Sequence, residues 1–325
     1  MRVLVTGGAG YIGSHTVKNL LRKGHEVVIF DNFSSGRREL VAGGQVVRGD
    51  LQDSRALDKV LGRRDFGAVL HFASLIQVGE SFLDPAKYYV QNLTGSLNLL
   101  EAMRRAGVKL FIFSSSAAVY GPPRQTPVTE DHPLAPANPY GQTKFFVETI
   151  LQDYDRAYGL KFISLRYFNA SGADPEGGLG EMHDPETHLI PNILLSVLGK
   201  KKDVEVFGTD FDTPDGTAVR DYIHVSDLAE AHVLALDRLE RGVPSDFINL
   251  GTNRGYSVQE VIRKVEEVTG RPVPFRKSPR RPGDVPVLLA SKAKAERLLG
   301  WTLGHSDIET IIATAWRWHL KTART

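Results

Sequence analysis

Residues 6–13 read TGGAGYIG, with the apolar run RVLV at 2–5 before them and SHTVKNLLRK at 14–23 after them. Gly7, Gly10 and Gly13 give G-x-x-G-x-x-G, a relative of the dinucleotide fingerprint. In that pattern glycine allows a tight turn, lets backbone approach a pyrophosphate, and permits close packing of helix on strand. The helix that follows presents its N-terminus to the anion. A chain with 31 glycines offers chance matches, so the strand before the loop and the helix after it carry the reading.

Working outward, the next apolar run, EVVIFD, ends at Asp31, eighteen positions after Gly13. A carboxylate there accepts hydrogen bonds from the adenosine ribose and repels a 2′-phosphate, which favours NAD over NADP. Asp31 as a plain turn residue is the competing reading. Arg37 and Arg38 are the counter-signal, since arginines beside this loop can serve a phosphate.

The runs RVLVTG, HEVVIFD, GQVVRGD, GAVLHFA, KLFIFSS and LKFISLRYF read as strands. Between them, residues 11–23, 53–61, 84–106 and 140–158 have helical apolar spacing. Such alternation predicts an α/β fold of the doubly wound Rossmann type, a mainly parallel sheet with helices on both faces. Beyond Asn169 lies a long Gly/Pro/acid-rich loop, SGADPEGGLGEMHDPETH. A helix near 190–199 and strands near 204–207 and 247–251 follow it. Ser257 and Glu260 form a capping box for a helix over 258–269. The expected division is a cofactor domain over 1–170 and a smaller α/β substrate domain over 171–325, with segments near 219–251 packing on the first.

The chain has 325 residues, 42% hydrophobic and 24% charged, with a formal net charge of +2. That balance points to no nucleic-acid or membrane surface. Without cysteine there is no disulfide, thiol nucleophile or thiolate-ligated metal. No apolar run reaches membrane-spanning length, and the expected location is cytoplasmic.

At 140–144, YGQTK places Lys144 four residues after Tyr140, on the same helix face. The bland reading is a polar pair on a solvated face. The chemical one is a phenol made easier to ionise. A free phenol has a pKa of about 10, so ionisation near neutrality needs about three units, or about 4 kcal/mol. One nearby cation supplies about one to three, so Lys144 together with a positive nicotinamide suffices. Ser116 ends the fifth strand, the end at which α/β sheets hold ligands, and it can bond the same substrate hydroxyl.

With TGGAGYIG, IFDN, GDL at 49–51, HFA at 71–73, SSS at 114–116 and Tyr140-x-x-x-Lys144 in this order, the chain resembles the extended short-chain dehydrogenase/reductase family. The likeness continues through LRYFNASGA, VRDYIHV and RRPGD, and is closest to members that invert C4 of UDP-sugars. It implies reversible C4 epimerisation of UDP-glucose and UDP-galactose by way of a transient 4-keto sugar, with Tyr140, Lys144 and Ser116 catalytic. For NAD it implies, besides the three glycines and Asp31, Tyr11, Ile12, Asn32, Ser35 and Gly36 around the first two strands. Asp50, Leu51, Phe72, Ala73 and Ser74 follow the third and fourth, and Asn92, Ser114, Tyr140, Lys144 and Phe168 complete the set.

For the UDP-sugar the resemblance implies Arg220 and Arg281 on the diphosphate, matching arginine's forked donors, and Asp284 on the ribose. Ser116, Tyr140, Asn169, His188, Leu189 and Glu205, Val206, Phe207 line the sugar and uracil. Against these roles, RPGD is also a good type II turn sequence, and Arg220 can pair locally with Asp221. Dehydratases of the family carry an Asp-Glu pair after the serine; this chain has Ala117 and Ala118, so elimination lacks its proton carriers.

Ile76 stands where some members have a cofactor-touching lysine. Leu288 stands where a tyrosine excludes N-acetylated sugars and a small residue admits them, so a bifunctional enzyme also accepting UDP-GlcNAc and UDP-GalNAc stays open. A UDP-glucuronate epimerase or decarboxylase would share the cofactor loop and the Tyr–Lys pair, and a non-catalytic NAD-binding sensor would share the loop alone. His183 and His188 lack the helical i,i+4 spacing and a nearby third ligand, so no metal is expected. The resemblance also implies a homodimer pairing the helices near 84–106 and 139–158.

Overall fold

The computed structural model describes residues 1–62, 65–281 and 283–323. Its strands are β1 (Arg2–Thr6), β2 (Glu26–Asp31), β3 (Gln45–Arg48), β4 (Ala68–His71), β5 (Leu110–Ser114), β6 (Lys161–Tyr167) and β7 (Asn169–Ser171). Then come β8 (Val204–Phe207), β9 (Val219–His224), β10 (Asp246–Leu250), β11 (Gly255–Ser257), β12 (Phe275–Ser278) and β13 (Val287–Leu288). The helices are α1 (Tyr11–Arg22), α2 (Ser54–Leu61), α3 (Val78–Leu83), α4 (Pro85–Tyr88), α5 (Gly95–Ala106) and α6 (Pro139–Tyr158). After these follow α7 (Leu189–Val197), α8 (Val225–Glu240), α9 (Val258–Thr269), α10 (Ala293–Leu299) and α11 (Ile308–Thr322).

The main sheet runs β10-β6-β5-β4-β1-β2-β3, every neighbour parallel. This is the doubly wound α/β architecture that the alternation predicts. Strand side chains point alternately to opposite faces. Val3, Val5 and Ile29 therefore join α1 and α8 in one core, while Leu4, Val28 and Phe30 join α2, α5 and α6 in the other. Both faces being covered, these strands read as unbroken apolar runs. Each fully buried side chain among them contributes roughly 1.5–3 kcal/mol. The order reverses between β1 and β4, and the crevice outside their carboxyl ends is where such folds bind ligands.

The seventh strand and α8 come from beyond residue 170, so the later half of the chain completes the first sheet. Its other strands are short: β9 is flanked by β11, β13 and β7, and β8 pairs with β12. They surround a separate core that includes Ile193, Val206, Val261 and Ile311.

The helix expected over 84–106 is present from Pro85 to Ala106, with a change of register inside it. Asp84 ends α3 and caps α4, Pro85 takes the first helical position, and residues Tyr89–Thr94 form a π-helical turn before α5. Proline is at home in a first turn and not inside a helix. No helix among the described residues is long and apolar enough to cross a membrane.

Candidate active site

The glycine loop leaves β1 and enters α1 with little room to spare. Gly7 has φ +72°, and a Cβ there would lie 2.5 Å from the Ala73 nitrogen. One on Gly13 would lie 2.2 Å from the Gly7 carbonyl oxygen, while the Gly10 N–H donates to that same oxygen at 3.0 Å. Gly10 caps α1 with no side chain, so the first N–H groups of the helix, those of Tyr11 and Ile12, remain available to an anion. The Tyr11 phenol turns the other way and donates to the Gly172 carbonyl at 2.6 Å, tying the second half of the chain to α1. Gly13→Ala is expected to abolish cofactor retention, as the NAD released on denaturation will show. NAD content equal to wild type would contradict the role given to this loop.

At the end of β2, Asp31 is buried and accepts from the Ala9 N–H at 3.0 Å and the Phe33 N–H at 2.8 Å. Burial pushes its carboxyl up, against those two hydrogen bonds. Gly36 packs on it: a Cβ there would stand 2.9 Å from one Asp31 oxygen, and Ser35 is exposed. Asn32 donates to Asp50 at 2.8 Å, so these two candidates hold each other. The arginines face elsewhere. Arg37 reaches the Met182 carbonyl and Asp184, and Arg38 lies over the Phe33 ring.

After β4, His71 bridges Thr6 at 2.6 Å and Ser96 at 2.8 Å, and burial pushes it down to about 3. It thus locks the ends of β1 and β4 as a neutral ring. Asn92 accepts from the Leu75 N–H at 2.8 Å and donates to the Leu75 carbonyl at 3.0 Å and to Thr143 at 3.2 Å. It is buried, and it positions the segment carrying Phe72, Ala73 and Ser74.

Asn138 caps α6 by accepting from the Gly141 N–H at 2.7 Å, so the helix begins at the residue before Tyr140. A Cβ on Gly141 would come 2.6 Å from the Ala118 carbonyl oxygen. That close approach brings the loop after β5 to the helix, with Ser116, whose hydroxyl accepts from the Ala118 N–H at 3.2 Å, near enough to act on the Tyr140 phenol. Lys144 is buried; its Nζ donates to the Ser114 carbonyl at 2.8 Å and lies 5.0 Å from the Phe113 ring centre and 5.9 Å from that of Tyr140. Ser114 itself bonds the Tyr167 hydroxyl, so its carbonyl, not its hydroxyl, serves the lysine.

The electrostatics correct the sequence reading. Desolvation pushes the Tyr140 phenol up, and only the Ser116 hydrogen bond pulls it down. Burial also pushes Lys144 down to about 7, with Glu148 opposing. An amine so desolvated holds its charge less firmly, so Lys144 alone does not offset the burial of the phenol, and further positive charge beside it is needed. Spacing shows that the two share a helix face; it cannot show that both are desolvated there.

One turn further along α6, Glu148 accepts from Ser115 at 2.8 Å, Ser164 at 2.7 Å and Arg166 at 2.6 Å. Both ionic side chains are at most 3% exposed. Tyr120 links Arg166 to Asn249 of β10. Sequence reasoning missed this network, although Glu148 lies eight residues after Tyr140, on the same stripe of helix.

Around the second half, Arg220 lies 3.6 Å from Asp284, and Arg281 lies 2.9 Å from Asp284 and 5.0 Å from the Phe207 ring centre. The expected turn is partly visible: Gly283 has φ +83°, and the Asp284 N–H donates to the Arg281 carbonyl. Pro282 lies outside the described residues. Asp221 does not pair with Arg220; it accepts from Thr252 and the Ala290 N–H instead. Asn169 donates to the Asp221 carbonyl at 2.8 Å. Val206 is fully buried, so only its backbone can meet a ligand, and Glu205 is held by Ser278 and Arg276. Leu288 and Phe168 pack with Ala117 and Val119, on the loop that holds Ser116.

His188 caps α7 ahead of Leu189. It bonds Glu181, which also accepts from His183 at 2.9 Å. The absence of a third ligand, on which the expectation of no metal rested, is thereby corrected. Glu181 and Glu186 join the two histidines, and the four donor atoms lie within 4.8 Å of one another. The signal was the loop spacing E-x-H-x-x-E-x-H, which a search for helical repeats passes over.

A family model described as the NAD dependent epimerase/dehydratase family matches residues 3–251. The chain belongs to that family. It is 50% identical to a UDP-glucose 4-epimerase of Rhizobium leguminosarum bv. trifolii, over 98% of this chain and 97% of the other. A crystal structure of UDP-glucose 4-epimerase from Brucella ovis in complex with NAD matches with a TM-score of 0.95 and 48% identity, covering 97% of each chain. The UDP-Glc/GlcNAc 4-epimerase from Campylobacter jejuni matches with a TM-score of 0.86 and 39% identity, covering 98% of this chain and 99% of that one. As a member of the NAD dependent epimerase/dehydratase family, the chain is an enzyme whose cofactor is NAD.

Proposed function

We propose that this enzyme interconverts UDP-glucose and UDP-galactose by reversible inversion at C4. The observation that carries the reading is the meeting of Tyr140, Ser116 and Lys144 at the carboxyl end of β5, where Ala117 and Ala118 leave no carboxylate for an elimination. The glycine cradle, the free N–H groups of α1 and the Asp31 carboxylate fit an adenine dinucleotide. NAD held there would supply a reversible hydride acceptor for C4 of the sugar.

The chain does the rest. Tyr140 accepts the proton of the C4 hydroxyl, directly or through Ser116, and returns it after the 4-keto sugar has turned over. Lys144, fixed by the Ser114 carbonyl, sets the charge beside the phenol. Arg220 and Arg281 hold the diphosphate and Asp284 the ribose, so the nucleotide stays gripped while the sugar rotates. Incubation with UDP-galactose should yield UDP-glucose with no net consumption of NAD, read by NMR of the products. Recovery of unchanged UDP-galactose would sink the proposal. Leu288, which packs with Ala117 and Val119, is intermediate between the tyrosine and the small residue and keeps open a second reading in which N-acetylated UDP-sugars are also accepted. Incubation with UDP-GalNAc decides it, and absence of UDP-GlcNAc removes it.

A homodimer is part of the same proposal. Val90, Leu97 and Phe146 are 48%, 39% and 38% exposed, and the Tyr89 and Phe146 rings touch, so one apolar patch spans α5, the π-helical turn and α6. Light scattering should give twice the chain mass of 35.9 kDa; a single chain mass at micromolar concentration would refute it.

A further inference from the structure

We propose that Glu181, His183, Glu186 and His188 form a binding site for one divalent transition-metal ion of the zinc class. The four sit on the last eight residues of the Gly/Pro/acid-rich loop, just before α7, and all four donor atoms fall within 4.8 Å of one another. Tetrahedral donors at about 2.0–2.2 Å from a shared ion stand about 3.3–3.6 Å apart, so the widest pair has to draw in by up to about 1.5 Å and the hydrogen-bonded Glu181–His183 and Glu181–His188 pairs have to open, both within reach of side-chain torsions.

The charge balance of the four side chains is compatible with such an ion. The carboxylates of Glu181 and Glu186 have side chains only 3% and 7% exposed. Among the described residues, no lysine or arginine lies within ion-pair distance of either. The His183 and His188 imidazoles stand at ion-pair distance from Glu181, and two buried carboxylates so close call for two positive charges in all, since unpaired buried charge is costly. One divalent ion with two neutral imidazoles supplies that balance. Two imidazole nitrogens with two carboxylate oxygens suit zinc and its first-row neighbours better than calcium or magnesium. The imidazoles remain 21% and 40% exposed, which leaves the ion a way in.

The loop is braced to receive it. Trp318 of α11 donates to the Glu181 carbonyl at 3.0 Å, the Tyr11 ring edge meets His183, and Arg37 reaches the Met182 carbonyl. An ion here would staple this loop to the start of α7, fixing His188 and Leu189 relative to the glycine loop.

The test is metal content. Full-length protein with its NAD is incubated with excess zinc(II), dialysed, and assayed by mass spectrometry of the elements, alongside His183→Gln and Glu186→Gln. NAD content and circular dichroism report that the variants are folded. The site predicts one zinc per chain in the wild type, lost in both folded variants, and a cobalt(II) substitute with visible bands of a low-coordinate nitrogen/oxygen site. Wild-type protein that dialyses free of zinc overturns the proposal, as does full zinc retention by both variants. Neither result depends on whether the chain turns over a UDP-sugar.

Discussion

Tyr140→Phe is expected to lower the rate of UDP-galactose conversion by about 10²- to 10⁴-fold, the span of a lost general acid–base group. At about 1.4 kcal/mol per decade that is roughly 3–5 kcal/mol of transition-state stabilisation. The substitution removes one oxygen and keeps the ring that packs near Lys144, so NAD content should stay at the wild-type level. This combination separates a chemical role from a structural one. A variant retaining NAD and more than a tenth of wild-type turnover would remove Tyr140 from the reaction.

A second large effect is expected at Glu148. Glu148→Ala leaves the Arg166 guanidinium, 3% exposed, without its carboxylate, along with the Ser115 and Ser164 hydroxyls that donate to it. Breaking a buried ion pair by deleting one partner costs about 3–5 kcal/mol, because the survivor keeps its desolvation penalty. Glu148 holds the Arg166 guanidinium well above its ordinary range despite burial, which shows how strongly the two are coupled. Denaturant unfolding reads the loss. The double substitution Glu148→Leu with Arg166→Met should recover most of it, since no charge is then stranded. A single-variant loss under about 1 kcal/mol would contradict the assignment.

Much of the fold was legible in the sequence, and the physical reason differs by region. Of the first six strands all but the exposed edge strand β3 are largely apolar because the sheet is covered on both faces, and the ends of all six lie within about two residues of the reading. The helix read over 140–158 is α6, which starts one residue earlier, and the capping box at Ser257 and Glu260 is present in full. The helix expected over 84–106 is there from Pro85 to Ala106, but its π-helical segment at Tyr89–Thr94 was not legible, because apolar spacing survives such a turn whereas the backbone register does not. Strands β11 and β13 are three and two residues long, too short to show a period.

At the site, sequence supplied the glycines, Asp31 and the Tyr140–Lys144 offset. It could not supply desolvation, a property of everything packed around a group rather than of its neighbours in the chain. For the same reason the His71, Asn92 and Glu148 bonds were invisible: each joins residues at least sixteen positions apart. Glu181 and Glu186 were missed because a loop brings its donors together without any periodicity.

The central claim is that the phenol at 140 becomes an effective base once its surroundings carry positive charge. Titration of the phenolate absorbance, as wild type minus Tyr140→Phe with NAD bound, tests it most directly when repeated in a Lys144→Met background. The account predicts ionisation below the free-phenol value of about 10 with NAD and Lys144 both present, and a rise when Lys144 is removed. A phenol that stays at or above that value with NAD bound, or that is indifferent to Lys144, contradicts it.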